Sequence, residues 1–170
     1  MFIEVHDRFT HPTDVVFPTL RDRLSELLPY MPDVGEVTLV TREADGDGKI
    51  RIVNRWRSTI DIPKEAQGVL PPDLFAWTDT ALWDERTLTV EFRLDGYGYT
   101  ATGVNYFRGD DTGTGLRVTT TVKIDPDAFQ VPPWLFDLVS PVIETKIREV
   151  IEGNVRSMCR GLHQFLDADR

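Results

Sequence analysis

Between residues 36 and 125, six segments rich in Val, Thr, Ile, Tyr and Trp follow one another, at roughly 36–44, 49–60, 74–83, 87–94, 98–108 and 115–125. Most of the connectors, DGDG, Asp84-Glu85, DGYG and GDDTGTG, consist of the residue types that tight turns select. Strands joined in this way pair antiparallel in chain order, so this stretch predicts a meander.

Residues 2–10 alternate as a further strand ahead of the meander. The stretch THPTDVVFPTLRDRLSELLPYM then shows helical spacing, with Val16, Leu20, Leu24, Leu27 and Leu28 recurring at threes and fours. Pro18 and Pro29 limit the pieces, which predicts two short helices. From 140 to 166 one helical stripe carries Ile143, Ile147, Val150, Ile151, Met158, Leu162 and Phe165, with Ser140 as N-cap and Pro141 in the first turn. A helix of about 27 residues spans roughly 40 Å and can cross an entire sheet. The expected fold class is α+β, a seven-stranded curved antiparallel sheet wrapped around a long C-terminal helix. With 170 residues and 41% hydrophobic content, a single domain over 1–170 is expected.

Hairpin turns fix which side chains share a face, because residues opposite one another on antiparallel strands point the same way. The DGDG turn sets Glu43 against Ile50, Thr41 against Ile52, Leu39 against Asn54 and Val37 against Trp56. An Asp84-Glu85 turn sets Ala81 against Leu88, Asp79 against Val90, Trp77 against Phe92 and Phe75 against Leu94. Carried across DGYG, Phe92 meets Ala101, Val90 meets Gly103 and Leu88 meets Asn105. The last hairpin sets Phe107, Asn105, Gly103, Ala101 and Tyr99 against Leu116, Val118, Thr120, Val122 and Ile124. One face then collects the large hydrophobes, and the other carries Arg51, Arg55, Arg57, Arg93, Arg117 and a run of threonines.

The inward face is broken by Asn54, Asp79, Tyr99, Asn105 and Thr120, with Ala101 and Gly103 leaving room beside them. Buried polar groups need partners or water, and a few convergent polar groups in an apolar wall are typical of small-ligand sites. Satisfied core residues in a filled interior are the alternative. An inward Asp79 between Trp77 and Ala81 should have its protonated form favoured by desolvation, which makes it the one candidate for acid-base chemistry. Trp56, Trp77, Phe92 and Tyr99, with Asn54, Asn105 and Thr120, are the candidate ligand contacts from the sheet. Ile147 and Ile151 are those from the helix.

The net charge of −9 opposes binding to nucleic acid and docking on anionic lipid. The lone Cys159 forms no intramolecular disulfide and reads as a packing residue. His6, His11 and His163 lack the spacing of a metal site, and no phosphate-loop, dinucleotide, nucleophile-elbow or HExxH motif occurs, so no metal or cofactor is expected. The N-terminus has no signal-peptide pattern and no run approaches the length of a membrane span, so a cytoplasmic location is the default expectation. Two proline-flanked segments, DIPKEAQGVLPPDLF and AFQVPPWLFDLV, read as mouth or lid loops. The second places Trp134, Leu135 and Phe136 in a row, so a transient membrane contact through 129–138 is one reading and a hydrophobic plug under the helix another. The oligomeric state is left open.

The order strand, two short helices, six antiparallel strands and long terminal helix resembles the START-like, or SRPBCC, superfamily with its helix-grip fold. Within it, YMPDVGEVTLVTREADGDGKIRIVNRW followed by LPPDLFAWTDTALWDERTLTVEF is distantly similar to the PRELI-type lipid-transfer proteins. The resemblance implies binding or transport of a hydrophobic small molecule or lipid between sheet and helix. The alternative that it implies is a polyketide cyclase or dehydratase-type enzyme using the same cavity, with Asp79 as acid-base.

Overall fold

A computed structural model describes residues 1–62, 64, 67–68 and 70–168. The seven strands are β1 (Phe2–Phe9), β2 (Val34–Ala44), β3 (Lys49–Ser58), β4 (Ala76–Asp84), β5 (Thr89–Gly96), β6 (Tyr99–Asp110) and β7 (Gly113–Ile124). They form one antiparallel sheet in the order β1-β7-β6-β5-β4-β3-β2. The meander runs in chain order from β2 to β7, and β1 closes on β7. Two helices, α1 (Thr13–Asp22) and α2 (Leu24–Leu27), follow β1, and α3 (Pro133–Ala168) ends the chain. The first proline-flanked segment, 61–75, lies partly outside the described residues; its end forms a 3-10 turn, Pro72–Phe75, so Phe75 precedes β4 instead of pairing with Leu94.

The last hairpin has the predicted register, from Tyr99 opposite Ile124 to Phe107 opposite Leu116. The Asp84-Glu85 hairpin is longer than expected: Trp77 faces Gly96, Asp79 faces Leu94, Ala81 faces Phe92 and Trp83 faces Val90. Asp84 Oδ1 accepts hydrogen bonds from the backbone N–H groups of Arg86 and Thr87, which holds residues 85–88 as the turn. Leu88 occupies a left-handed position (φ 53°) in that turn and pairs with neither Ala81 nor Asn105. Tyr97 and Gly98 make the next turn, so Val90 faces Asn105, Phe92 faces Gly103 and Leu94 faces Ala101. The slips are of four residues at the first of these turns and two at the second, even numbers that preserve facing, so the inward set survives the correction.

The first hairpin differs in kind. Leu39 faces Asn54 and Val37 faces Trp56 as expected, but Ala44 faces Ile50 and Arg42 faces Ile52, displacing Glu43 and Thr41. The register shifts between Leu39 and Thr41, a bulge at Val40. A bulge changes parity on one side only, and here it turns Arg42 to the concave face, where its guanidinium pairs with Asp22 at the end of α1 at 2.7 Å. Leu39, although on the concave face, is 59% exposed.

The long helix begins seven residues earlier than predicted and contains Pro141 instead of starting there. Pro132 accepts the first helical N–H bonds, from Leu135 and Phe136. Pro141 cannot donate to the Asp137 carbonyl, and the Ser140 hydroxyl donates to that oxygen instead, at 3.3 Å. Pro141→Ala is therefore expected to raise stability by about 1 kcal/mol by restoring the backbone bond, which a thermal melt would register. Pro18 likewise sits inside α1, where the carbonyl it leaves unpaired belongs to the exposed first turn and is open to water.

Ile143, Ile147, Val150, Ile151 and Leu162 of α3 are buried against the sheet. Gly161 permits the closest approach: a Cβ there would lie 2.7 Å from Met31 and 3.3 Å from the Tyr30 carbonyl. In the segment 129–138 the loop is confined to 130–132, which joins a 3-10 turn, Pro126–Phe129, to the first turns of α3. Phe136 packs on Phe129 at 5.5 Å, whereas Trp134 and Leu138 are each 70% exposed and Val142, next in that stripe, 45%.

Candidate functional site

The corrected registers lay the concave face out as rungs that cross the sheet. One runs Leu39, Asn54, Asp79, Leu94, Ala101, Val122, and the next Arg42, Ile52, Ala81, Phe92, Gly103, Thr120, Ile3. Flanking them, Trp56 lies opposite Trp77, and Trp83, Val90, Asn105 and Val118 stand in one row. The helix covers these rungs without filling the space. A cavity of about 110 Å³ remains, walled by the sheet, by Leu20 of α1 and Leu24 of α2, and by Ile151, Asn154, Val155 and Met158 of α3.

Of the predicted contacts, Asn54, Trp56, Trp77, Asp79, Phe92, Asn105, Thr120 and Ile151 line this cavity. Tyr99 and Ile147 do not. Tyr99 is 3% exposed with its ring over Gly96, and burial raises its phenol pKa; Ile147 is packed in the core nearer the start of α3. The space beside Gly103 is also not free. A Cβ there would lie 2.5 Å from the Phe92 ring and 2.0 Å from the Thr119 carbonyl, so Phe92 already leans into it.

Asn154 is the polar cavity-lining residue that the sequence reading missed. It continues the stripe Ile147, Ile151, Met158 at helical spacing, and an amide on an otherwise apolar stripe was the available signal. It faces the sheet, with both its Nδ2 and its Oδ1 buried and without partners.

The polar chemistry of the cavity is unmet. Among the described residues, the buried side-chain nitrogens and oxygens without a hydrogen-bond partner are Trp56 Nε1, Asp79 Oδ1, Asn105 Oδ1, Thr120 Oγ1 and both amide atoms of Asn154. Every one belongs to a residue lining this cavity. A buried group left unpaired costs about 1–3 kcal/mol, so their concentration at one place is a cost to the fold that an occupant would offset.

Asp79 is the extreme member. It keeps some accessible surface, as a cavity-lining residue does, but its Oδ1 is sealed. Desolvation, without any basic partner, pushes its pKa up to about 7. The indole N–H of Trp56 lies close enough to favour the ionised form slightly, yet the two make no well-formed hydrogen bond. Trp56 and Trp77 stack nearly parallel, with ring centroids 6.0 Å apart and planes at 11°. Trp83 bounds the far end and is held edge-on by Phe17 at 5.2 Å.

A second concavity, about 260 Å³ and open to solvent, lies between β1 and α3 around His6, Asp7, Cys159 and His163. It is larger but chemically quieter. The inward-facing Asp7 carboxylate meets His163 Nε2 at 3.1 Å, and His163 stacks on Phe9 at 4.4 Å. Burial and Asp7 raise the Cys159 thiol pKa, which suits a packing residue. The three histidines have separate partners: His6 pairs with Glu4, His163 with Asp7, and His11 lies 4.0 Å from Asp167.

No family model and no curated protein matches the chain. Solved structures do. A protein of Thermus thermophilus superposes with a TM-score of 0.71 at 20% identity, over 99% of each chain. The chain has the helix-grip fold. The Zhui aromatase/cyclase of Streptomyces sp. R1128 matches at TM-score 0.67 and 16% identity, over 98% of this chain and 95% of that one. Norcoclaurine synthase from Thalictrum flavum matches at 0.56 and 13%, over 98% and 86%. These likenesses agree with the START-like resemblance of the strand and helix order. No helix among the described residues is long and apolar enough to cross a membrane.

Proposed function

We propose that this protein, as one domain over 1–170, binds a small, mainly apolar molecule in the cavity between the sheet and α3. The observation that carries the reading is the coincidence of every partnerless buried polar side-chain atom among the described residues with one mainly apolar cavity. Asp79, Asn105 and Thr120 on the sheet and Asn154 on the helix would orient the ligand from two sides, against the walls of Trp56, Trp77 and Phe92. The volume favours a ligand of about one ring, since an apolar cavity of about 150 Å³ takes up benzene and pockets for drug-sized ligands start near 300 Å³.

Filling the cavity tests this reading. Ala81 lines it and is 4% exposed, so Ala81→Leu puts three more carbons into the void. Native mass spectrometry of gently purified protein, followed by organic extraction, should show a retained small molecule that the variant loses by at least about tenfold, the equivalent of roughly 1.4 kcal/mol. No ligand in either protein, and no uptake of apolar probes, would mean that water alone fills the cavity.

Asp79 favours a second reading, an enzyme of the cyclase or dehydratase type. A carboxyl with a pKa near 7 exchanges protons readily at neutral pH, and the helix-grip relatives include an aromatase/cyclase and a synthase. Under this reading Asp79→Asn retains binding and loses turnover by about 100-fold or more. Unchanged turnover of an identified substrate would dismiss it.

A further inference from the structure

We infer that the occupant of this cavity is a small organic amine, a protonated nitrogen on an apolar body of about one ring, with Asp79 as its counter-charge. This rests on the cavity being a ligand site and specifies the chemistry that the site takes.

Three features of the wall converge on it. The first is charge: among the described residues, Asp79 is the only carboxylic acid lining the cavity, and no Arg, Lys or His lines it. A carboxylate or phosphate entering would therefore meet an acid with no cation to receive it, and burying an uncompensated anion costs several kcal/mol. The second is hydrogen bonding: the partnerless atoms include three acceptors, Asp79 Oδ1, Asn105 Oδ1 and Asn154 Oδ1, with Thr120 Oγ1 able to act either way. Against these stand only two obligate donors among the described residues, Trp56 Nε1 and Asn154 Nδ2. The partnerless acceptor atoms outnumber the partnerless obligate donor atoms, and an ammonium supplies up to three N–H donors and the positive charge together.

The third feature is aromatic. The wall around Asp79 presents the stacked Trp56 and Trp77 and the ring of Phe92, and π faces attract a desolvated cation more strongly than an exposed one. Burial without a basic partner disfavours the ionised form of Asp79. A bound cation supplies that partner. The overall charge of −9 also favours the approach of cations over anions.

The test uses three single-ring probes of matched shape, benzylamine, benzyl alcohol and benzoate, titrated calorimetrically into the parent protein and Asp79→Asn at pH 8. Benzylamine should bind at least about tenfold more tightly than benzyl alcohol, and benzoate should not bind. Asp79→Asn should bring the amine to the level of the alcohol or below while moving the alcohol by less than about threefold. Binding of benzoate, equal binding of amine and alcohol, or an amine preference that survives Asp79→Asn would each overturn the inference. If the alcohol binds without any gain for the amine, the inference falls and the cavity reading stands. If none of the three binds, the inference falls, and the cavity reading is decided separately by the ligand retained in the parent and lost in Ala81→Leu.

Discussion

Asp79→Asn is expected to stabilise the protein, and to do so increasingly as the pH rises. In the unfolded chain the carboxyl ionises near its ordinary value of 3.8, whereas in the fold it keeps its proton up to about pH 7. Folding at intermediate pH therefore takes up a proton. The stability associated with the protonated group is complete below about pH 4 and is lost as the pH rises through 7. The loss accumulates at about 1.4 kcal/mol per pH unit, so the whole effect is on the order of 4 kcal/mol. Asn has no such titration. Urea unfolding of the two proteins at pH 5 and pH 8 should show the advantage of the variant widening by about 3 kcal/mol. A constant difference would mean that Asp79 is as easily ionised in the fold as in the open chain, and the premise of its role in the cavity would fail. A group that weakens the fold at neutral pH and is nonetheless buried among tryptophans is the pattern expected where stability is given up for a site.

The second large effect belongs to Gly103. Its absent side chain is required twice, once by the Phe92 ring leaning over it and once by the Thr119 carbonyl of the neighbouring strand. Gly103→Ala is expected to cost about 3 kcal/mol, because overpacking forces the backbone as well as a side chain to move. The ring can swing aside, but the carbonyl belongs to the β6-β7 ladder and cannot. The double variant Gly103→Ala, Phe92→Ala should therefore remain at least as destabilised as the single one in urea unfolding. Full rescue by Phe92→Ala would show that the ring alone opposes the substitution.

Why the interior was legible while the pairs were not follows from the period of a strand. Side chains alternate with a period of two, so a partner displaced by an even number of residues, four at the Asp84 turn and two at Tyr97-Gly98, changes every pair and leaves every facing intact. That is why Asp79 was read as inward although it pairs with Leu94 and not with Val90. A bulge shifts the chain by one and does change facing. The bulge at Val40 exchanged Thr41 and Glu43 for Arg42, because the closing contact, Arg42 to Asp22, lies between elements twenty residues apart and leaves no trace in local spacing. The start of α3 was misplaced for a similar reason. Pro141 normally marks a first turn, and only the Ser140 hydroxyl serving the Asp137 carbonyl lets the helix run through it.

What the sequence by itself determined is the antiparallel order, the inward set and the polar residues within it, since short turns and alternating side chains are local properties. Whether those polar residues are satisfied was decided by the tertiary structure. Asn105, Thr120 and Asp79 come from three strands, and Asn154 approaches them from a helix whose position is set by Gly161 packing against Met31. The gap of about 110 Å³ between them is a property of how far the helix stands off the sheet. No spacing within any one segment encodes that distance; the packing of α3 on α2 and on the sheet sets it.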